Sequence, residues 1–288
     1  MNNDLQQPSK HYYFPFNIYT VQRRPSFAHI FVNKGTEGIG IIDVYTGVLI
    51  EEKPFSKNFD SSGIINAWCL KSDGNSMMAF NHDSYTACII TFNDKQMSVD
   101  IKPPPFKTFW DLRYLWDDQS CLLTGGRLSG IYMLNLKGDV PLFLELTGRE
   151  AASVNLPWLK MINQIPIDDC NVLKVETDKK QFVYHNYSVT PALVSVANWD
   201  NGMSWSIKAP SKIFELAVQH QTLFFLYEHK IDIVNSAGKV TGALTPPQGF
   251  HFISMDTLPA SEKNNESLIA VSNSLSGPLQ SCVAVYKL

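Results

Sequence analysis

The sequence predicts an all-β protein, and three patterns along the chain lead to that class. From Tyr12 onward, apolar residues come in runs of about five to eight that are rich in Val, Ile, Phe and Tyr, as is typical of strands. Gly, Asn, Asp, Ser or Pro separate the runs, and these residues form tight turns. Helical spacing is almost absent, since the best helical segment, residues 148–153, is a single short turn before Pro157.

Individual strands can be assigned because each apolar run ends at a turn or a proline. The second repeat ends at the triple proline 103–105 and the fifth at Pro246-Pro247, which cannot continue a strand. The predicted strands of the second, third and fifth repeats are 64–70, 76–80, 86–92 and 96–101; 109–116, 121–124, 130–136 and 141–146; and 213–218, 223–228, 231–235 and 239–244.

The strands recur with a regular period. A polar turn precedes a short apolar strand at six places, and the equivalent positions are Ile30, Met77, Leu122, Val172, Leu223 and Leu268. The steps between them run from 45 to 51 residues. A period of about 40–50 residues, made of four short strands, is expected for one blade of a β-propeller. Six blades of about 48 residues account for all 288 residues.

The prediction is therefore one domain, residues 1–288, folded as a six-bladed β-propeller, with a seven-bladed propeller as the alternative. The approximate blades are 12–55, 62–103, 106–148, 157–210, 212–247 and 249–288. The last repeat has room for only three strands, so a strand from residues 12–21 is expected to complete it and close the ring. The fourth repeat fits worst, because it holds either one strand too many or a long protruding hairpin.

Residues 198–205, Asn-Trp-Asp-Asn-Gly-Met-Ser-Trp, resemble the Asp-box of sialidase-like and related propellers, Ser-x-Asp-x-Gly-x-Thr-Trp. The resemblance covers eight residues and one copy, with Asn198 and Ser204 in place of the usual Ser and Thr. It implies a structural role in which Asp200 caps the turn, Gly202 allows a positive φ and Trp205 packs between sheets. The repeat also resembles kelch and YVTN propeller blades in outline, and no specific family is identified.

A propeller places the first strand of each blade around a central channel, so polar residues there are candidate ligands. These channel-lining candidates are Asn66, Asp111, Arg113, Asn163, Glu215 and His251. Converging carboxylate and amide oxygens are the ligands that Ca²⁺ requires, and a cation there could activate water. Six-bladed lactonases look like this in outline. The simpler interpretation is that these groups line a water-filled channel, or that Asp111 and Arg113 pair with neighbouring strands.

Exposed aromatic side chains are the other candidate site. The residues that could bind a partner are Tyr184, His185 and Tyr187 of the irregular fourth repeat, Phe106 and Trp110 after the triple proline, and the N-terminal segment 11–16. Packing between blades is the simpler explanation for most of these aromatics. The leading hypothesis is a non-enzymatic propeller that binds another protein through one face. The alternatives are a Ca²⁺-dependent lactonase or esterase in the channel and, below it, a carbohydrate-binding propeller.

Charge and cysteine usage exclude several classes. A net charge of −3 with five scattered arginines does not suit a nucleic-acid or anionic-membrane binder, which needs clustered cations. The five cysteines show no C-x-x-C pair, and no export signal or apolar span is visible, which indicates a cytoplasmic protein. No His spacing or serine elbow indicates a catalytic set. We therefore expect no cofactor, with Ca²⁺ only under the hydrolase alternative and a small-molecule ligand in the channel left open.

Overall fold

The computed structural model describes residues 8–24, 28–54, 67–70, 76–81, 86–93, 96–102, 120–124, 130–135, 159–164, 170–176, 181–186, 193–198, 204–208, 213–258 and 267–287. In these ranges lie 23 β-strands and one 3₁₀ turn at Gly35–Glu37, so the all-β class is confirmed. The weak helical segment at 148–153 lies outside them. None of the described residues forms a helix that is long and apolar enough to span a bilayer.

The chain divides into two compact units. Unit 1 comprises residues 1–54 and 210–288, and unit 2 comprises residues 55–209. The described strands of each unit form three antiparallel sheets, which we number 1 to 6 in chain order. Neighbouring strands within every sheet are also neighbours in the chain, except at the N-terminal strand. This is the up-and-down pattern that the short turns of the sequence predict.

Unit 1 contains sheets 1, 5 and 6, each with four strands. Sheet 1 is β2(Thr20–Arg23), β3(His29–Asn33), β4(Ile39–Asp43) and β5(Leu49–Lys53). Sheet 5 is β17(Glu215–Gln219), β18(Thr222–Leu226), β19(Ile231–Asn235) and β20(Val240–Leu244). Sheet 6 is β21(Phe250–Leu258), β22(Ser267–Ser274), β23(Ser281–Lys287) and, at its edge, β1(Lys10–Phe14).

Unit 2 contains sheets 2, 3 and 4. Sheet 2 is β6(Ala67–Leu70), β7(Ser76–Asn81), β8(Thr86–Asn93) and β9(Gln96–Lys102). The described strands of sheet 3 are β10(Ser120–Thr124), β11(Gly130–Asn135) and β12(Leu159–Gln164). Sheet 4 is β13(Cys170–Glu176), β14(Gln181–Asn186), β15(Leu193–Asn198) and β16(Ser204–Lys208).

The pairing of β12 explains why the fourth repeat holds a surplus strand. Residues 159–164 pair with β11 of sheet 3, and sheet 4 starts only at β13. Val172 therefore lies on the first strand of its sheet, whereas Ile30, Met77, Leu223 and Leu268 lie on second strands. Asp168 and Asp169, which the sequence interpretation placed in a hairpin turn, lie outside the described residues, and the strand that follows them, β13, is the first of its sheet. An Asp can satisfy backbone N–H groups equally well in a turn within a sheet and in a connection between sheets.

The protruding hairpin considered for the fourth repeat does not form. Strand β14 pairs with β13 on one side and with β15 on the other, so residues 181–186 occupy the interior of a four-stranded sheet. Strand β15, Leu193–Asn198, supplies the next strand of the same ladder. Pairing on both sides satisfies the backbone groups of β14, which a free hairpin would leave to water.

The core of unit 1 lies on both faces of sheet 6. Along β22, Leu268 and Ala270 pack with residues of sheet 5, whereas Ile269 and Val271 pack with residues of sheet 1. Strand β23 alternates in the same way, with Val283 facing sheet 1. All of these side chains are fully buried, and each contributes about 1–3 kcal/mol. Strands that are buried on both faces appear in sequence as continuous apolar runs.

Strand β1 supplies the fourth strand that the last repeat lacks. It pairs with β23 from Lys10 opposite Val285 to Phe14 opposite Ser281. The Tyr12 hydroxyl and the Lys10 ammonium both donate to the carbonyl of Tyr45, which lies in the turn between β4 and β5. The strand is therefore held by its own sheet and by the neighbouring sheet 1 together.

Gly47 in the same turn allows this contact. Its φ of +70° is the left-handed conformation, and a Cβ added there would overlap the ring of Tyr12. We expect Gly47→Ala to lower the free energy of unfolding by more than the cost of a positive φ, which is about 1–2 kcal/mol. Urea unfolding measures the change.

Gly249→Ala is the matched control, because Gly249 has a φ of +83° and its added Cβ would meet nothing within 4 Å. It carries the backbone cost without the ring contact. In a double-mutant cycle, Tyr12→Ala should offset part of the loss caused by Gly47→Ala. Equal losses for the two glycine variants would show that Tyr12 does not pack on this turn.

Candidate functional site

The first strands of the three sheets of unit 1 lie side by side, with β21 between β2 and β17. The N–H of Val21 donates to Ser254 Oγ at 3.2 Å, and the N–H of Arg23 donates to Asp256 Oδ2 at 2.8 Å. On the other side, the hydroxyl of Thr257 donates to the carbonyl of Val218 at 3.4 Å. The bonded residues follow one another in the same order along both strands of a pair, so the strands run parallel.

Glu215, one of the channel-lining candidates, links β17 to β21. Its Oε2 accepts the N–H of Met255 at 2.8 Å, and Met255 is fully buried. A buried N–H without an acceptor costs about 1–3 kcal/mol, so the carboxylate satisfies a structural requirement of the neighbouring strand. Glu215 therefore pairs with a neighbouring strand, a role that the sequence analysis considered only for Asp111 and Arg113.

Asp256 is the carboxylate that the sequence analysis missed. It is 1% exposed and accepts the N–H groups of Arg23 and Thr257, both at 2.8 Å. The signal was present, because Ser254, Asp256 and Thr257 are polar positions inside a run, Phe-Ile-Ser-Met-Asp-Thr-Leu, whose other residues are apolar. A charged residue in such a run is buried only where other groups satisfy it.

His251, the other described channel candidate, lies on β21 opposite Asn273 of β22. Its buried Nδ1 has no hydrogen-bond partner within the described part of the chain. Asn273 is part of a buried network: its Nδ2 donates to the Ile18 carbonyl, and its Oδ1 accepts from Ser281 Oγ, which accepts the N–H of Ile18. This network holds both backbone groups of Ile18, which lies two residues before β2 begins.

A second polar cluster lies at the start of sheet 1. The Arg24 guanidinium, 4% exposed, lies 3.3 Å from Nδ1 of His29, and Nε2 of His29 lies 4.0 Å from the Asp43 carboxylate. Burial and the Arg24 charge lower the pKa of His29, and Asp43 opposes them. Asp43 also accepts the N–H groups of Tyr45 and Thr46, and these two hydrogen bonds cap the β4–β5 turn.

The other predicted site residues lie on strands of unit 2 or outside the described residues. Asn163 lies on β12, and Tyr184 and His185 lie on β14. Trp205 of the Asp-box-like segment is partly buried on β16. The candidates outside the described residues are Asn66, Phe106, Trp110, Asp111, Arg113, Tyr187, Asp200 and Gly202. Across the described ranges, no group of three or more His, Cys, Asp or Glu side chains could hold a metal ion.

An exposed apolar cluster, which we call the Leu275 patch, lies at one edge of sheet 6. Its members are His11, Tyr13, Phe250, Leu275 and Leu279. The Tyr13 ring lies 5.6 Å from that of Phe250 and 5.4 Å from that of His11. Leu275 is 72% exposed, Leu279 44% and Tyr13 40%. Exposed side chains of this size that gather in one place, rather than singly, mark binding surfaces.

Comparisons with known proteins support the fold. No family model matches the sequence, and the search of curated proteins gives no match. The β-propeller domain of Cps50 (Swd1) from Myceliophteria thermophila superposes with a TM-score of 0.63 at 9% identity, over 98% of this chain and 99% of that one. Hydrazine synthase from Kuenenia stuttgartiensis gives 0.56 at 12% identity, over 100% and 97%. The chain therefore has a β-propeller fold, without assignment to a specific family.

The role of Glu215 can be tested by two substitutions. Glu215→Ala removes the acceptor of the Met255 N–H and should lower the free energy of unfolding by about 1–2 kcal/mol. Glu215→Gln keeps an oxygen acceptor and should cost clearly less. Urea unfolding measures both changes. A rise in Tm of the wild type on adding CaCl₂ that Glu215→Gln abolishes would contradict this role and favour the hydrolase alternative.

Cys282 gives stability a predictable dependence on pH. The side chain is fully buried, and burial raises the pKa of its thiol to about 12, against the opposing hydrogen bonds from Tyr12 and Ser272. The unfolded thiol titrates near pH 9. Between about pH 9 and 12 the native state therefore keeps a proton that the unfolded state loses, and the free energy of unfolding falls as pH rises.

Cys282→Ala should make that fall shallower. Tyr227, with a pKa raised to about 12, and Tyr286 contribute in the same direction and remain in both proteins. The measurement is urea unfolding at several pH values from 8 upward, comparing slopes rather than absolute stabilities. Identical slopes for the two proteins would contradict the assignment.

Proposed function

We propose that the chain is a closed, six-bladed propeller that binds another protein through one face and works without a cofactor. The six sheets of the described residues and the pairing of β1 with the last of them support a closed ring of six blades. The observation that carries the binding function is the Leu275 patch, with its three large apolar side chains at 40–72% exposure. A few side chains supply most of the binding energy at protein interfaces, and tyrosine, here Tyr13, is among the residue types enriched at those positions.

The polar groups of unit 1 favour binding over catalysis. Glu215 and Asp256 accept N–H groups from neighbouring strands, so backbone pairing accounts for both carboxylates without a catalytic role. The fold itself does not decide, because propellers with very different functions share it. Hydrazine synthase, one of the similar structures, is by its name an enzyme.

The function is tested by capture followed by reconstitution. The tagged chain is incubated with extract of its source cells, and each protein retained above background is expressed, purified and titrated against the chain by calorimetry. We expect at least one partner to bind with a Kd in the micromolar range or below, about −8 kcal/mol. Failure of every purified candidate to bind would overturn the proposal.

The face is tested with the same partner. Leu275→Ser combined with Leu279→Ser should weaken binding at least about tenfold, because the anchors are lost while the fold keeps its core. Val48→Ser is the matched control, since Val48 is an exposed apolar residue, 55% exposed, in the β4–β5 turn of sheet 1. The contrary outcome is a partner that binds the wild type, the double variant and Val48→Ser with equal affinity. That result would leave the protein-binding function in place and exclude the Leu275 patch as the binding site.

A further inference from the structure

Strand β20 is the outer strand of sheet 5. It pairs with β19 on one side, and no strand of the described residues pairs with it on the other. A strand directs its N–H and C=O groups alternately to its two sides, so the outer edge of β20 carries hydrogen-bonding groups that no other described strand satisfies. Val240 is 42% exposed, and the strand is exposed or half-buried as far as Ala243. The edge is therefore open to an added strand.

The composition of β20 differs from that of the other outer strands. Its sequence, Val-Thr-Gly-Ala-Leu, contains no charged residue. The outer strands of the other described four-stranded sheets, β1, β5, β9 and β16, each contain at least one. Charged side chains on an edge, lysine above all, prevent the addition of a further strand. Strand β20 lacks this protection.

Gly242 leaves apolar surface uncovered along the same edge. It lies opposite Ile233 of β19, and a Cβ added to it would meet Cδ1 of Ile233 at 3.5 Å, an ordinary contact distance. The Ile233 side chain packs against the core cluster shared by sheets 5 and 6, but it is itself only partly buried. A large side chain of an added strand, placed beside Gly242, would cover Ile233 in the way that aromatic side chains cover edge glycines.

The size and twist of the edge favour a flexible occupant. Five residues span about 17 Å, and a second copy paired along them alone would bury far less than the roughly 1,200–2,000 Å² of a stable interface. The bulge at Thr241 increases the local twist, which a flexible segment can follow. We propose that β20 is a second interaction surface, where an extended segment of a partner protein adds to sheet 5 as a fifth strand. Main-chain hydrogen bonds hold the segment, and a large apolar side chain lies beside Gly242.

A display library of random dodecapeptides tests this surface. The immobilised wild type is used for selection, and Gly242→Lys removes peptides that bind elsewhere. Gly242→Lys places a charge on the edge, while its Cβ meets Ile233 at an ordinary distance, so the fold is retained. We expect enriched peptides to be rich in β-branched and aromatic residues. No enrichment, or enrichment of peptides without a large apolar residue, would overturn the proposal.

The most enriched peptide is synthesised, labelled and titrated by fluorescence polarisation against matched variants. Ile233→Thr should weaken binding several-fold, because it removes apolar surface and keeps a β-branched side chain. Val48→Lys adds a charge at an exposed apolar position of the β4–β5 turn and should bind like the wild type. Thermal melting confirms that each variant is folded. Equal binding by Ile233→Thr, or a loss with Val48→Lys, would contradict the assignment to β20.

Methylation of the peptide backbone distinguishes an added strand from a side-chain contact. In an added strand, the N–H groups of alternate residues point to β20 and those between them point away. A series of singly N-methylated peptides should therefore lose affinity at every second residue, at least about tenfold, and keep it at the residues between. A loss of affinity without this two-residue period would show that no strand is added.

Hydrogen exchange locates the bound peptide and separates this surface from the Leu275 patch. The peptide should slow amide exchange in residues 240–244, and unchanged exchange there would overturn the proposal. The Leu275→Ser, Leu279→Ser double variant should bind the peptide as the wild type does. If it loses the peptide, the peptide occupies the Leu275 patch and β20 is excluded. A failed selection alongside a reconstituted protein complex would remove the β20 surface and leave the proposed function in place.

Discussion

Burial of both faces of sheet 6 is the constraint on which the rest of unit 1 depends. Strands β22 and β23 direct successive apolar side chains to opposite sides, and all of them are fully buried. A two-layer sandwich buries one face of each sheet and leaves the other to water, which gives alternation of apolar and polar residues. The continuous runs Leu-Ile-Ala-Val and Cys-Val-Ala-Val-Tyr require a sheet on each side instead. Sheets 1 and 5 meet that requirement.

Stacked sheets create a second requirement at their first strands. Each first strand pairs with one neighbour of its own sheet, so the backbone groups on its other side need partners from elsewhere. Ser254, Asp256 and Glu215 supply acceptors for such groups. Polar side chains on inner strands therefore follow from the architecture itself. A search for catalytic residues among them has to discount those already engaged with backbone.

Much of the fold was predictable, because strand content, turn positions and the period follow from local residue chemistry. Strands 76–80, 86–92 and 231–235 were placed within a residue or two of their observed bounds. The assignment of strands to sheets was harder, because an Asp-containing segment has the same turn chemistry whether it connects two strands of one sheet or two sheets. The fourth repeat was left without a register, because residues 181–188 and 192–198 gave it one strand too many, and only the pairing of β12 with β11 resolves the count.

The candidate site was less predictable, because it depends on contacts between distant segments. The role of Glu215 needs the N–H of Met255, which lies 40 residues away in the chain. Asp256 was overlooked because position within an apolar run does not reveal which groups satisfy a carboxylate. The Leu275 patch joins Tyr13 to Phe250, and no local pattern predicts that pair. The aromatic N-terminal segment was identified as a binding candidate, but the leucines beside it were not.

The Leu275 patch also connects binding to the completion of sheet 6. Tyr13 lies on β1, and Phe14 of the same strand accepts the N–H of Gln280, next to the exposed Leu279. The N-terminal strand therefore provides part of the surface and holds the loop that provides the rest. Residues that complete a sheet are usually assigned to stability alone, whereas here the same five-residue strand contributes to both. Because β1 is also held by the Tyr45 carbonyl of sheet 1, the geometry of the patch depends on two sheets rather than on the loop alone.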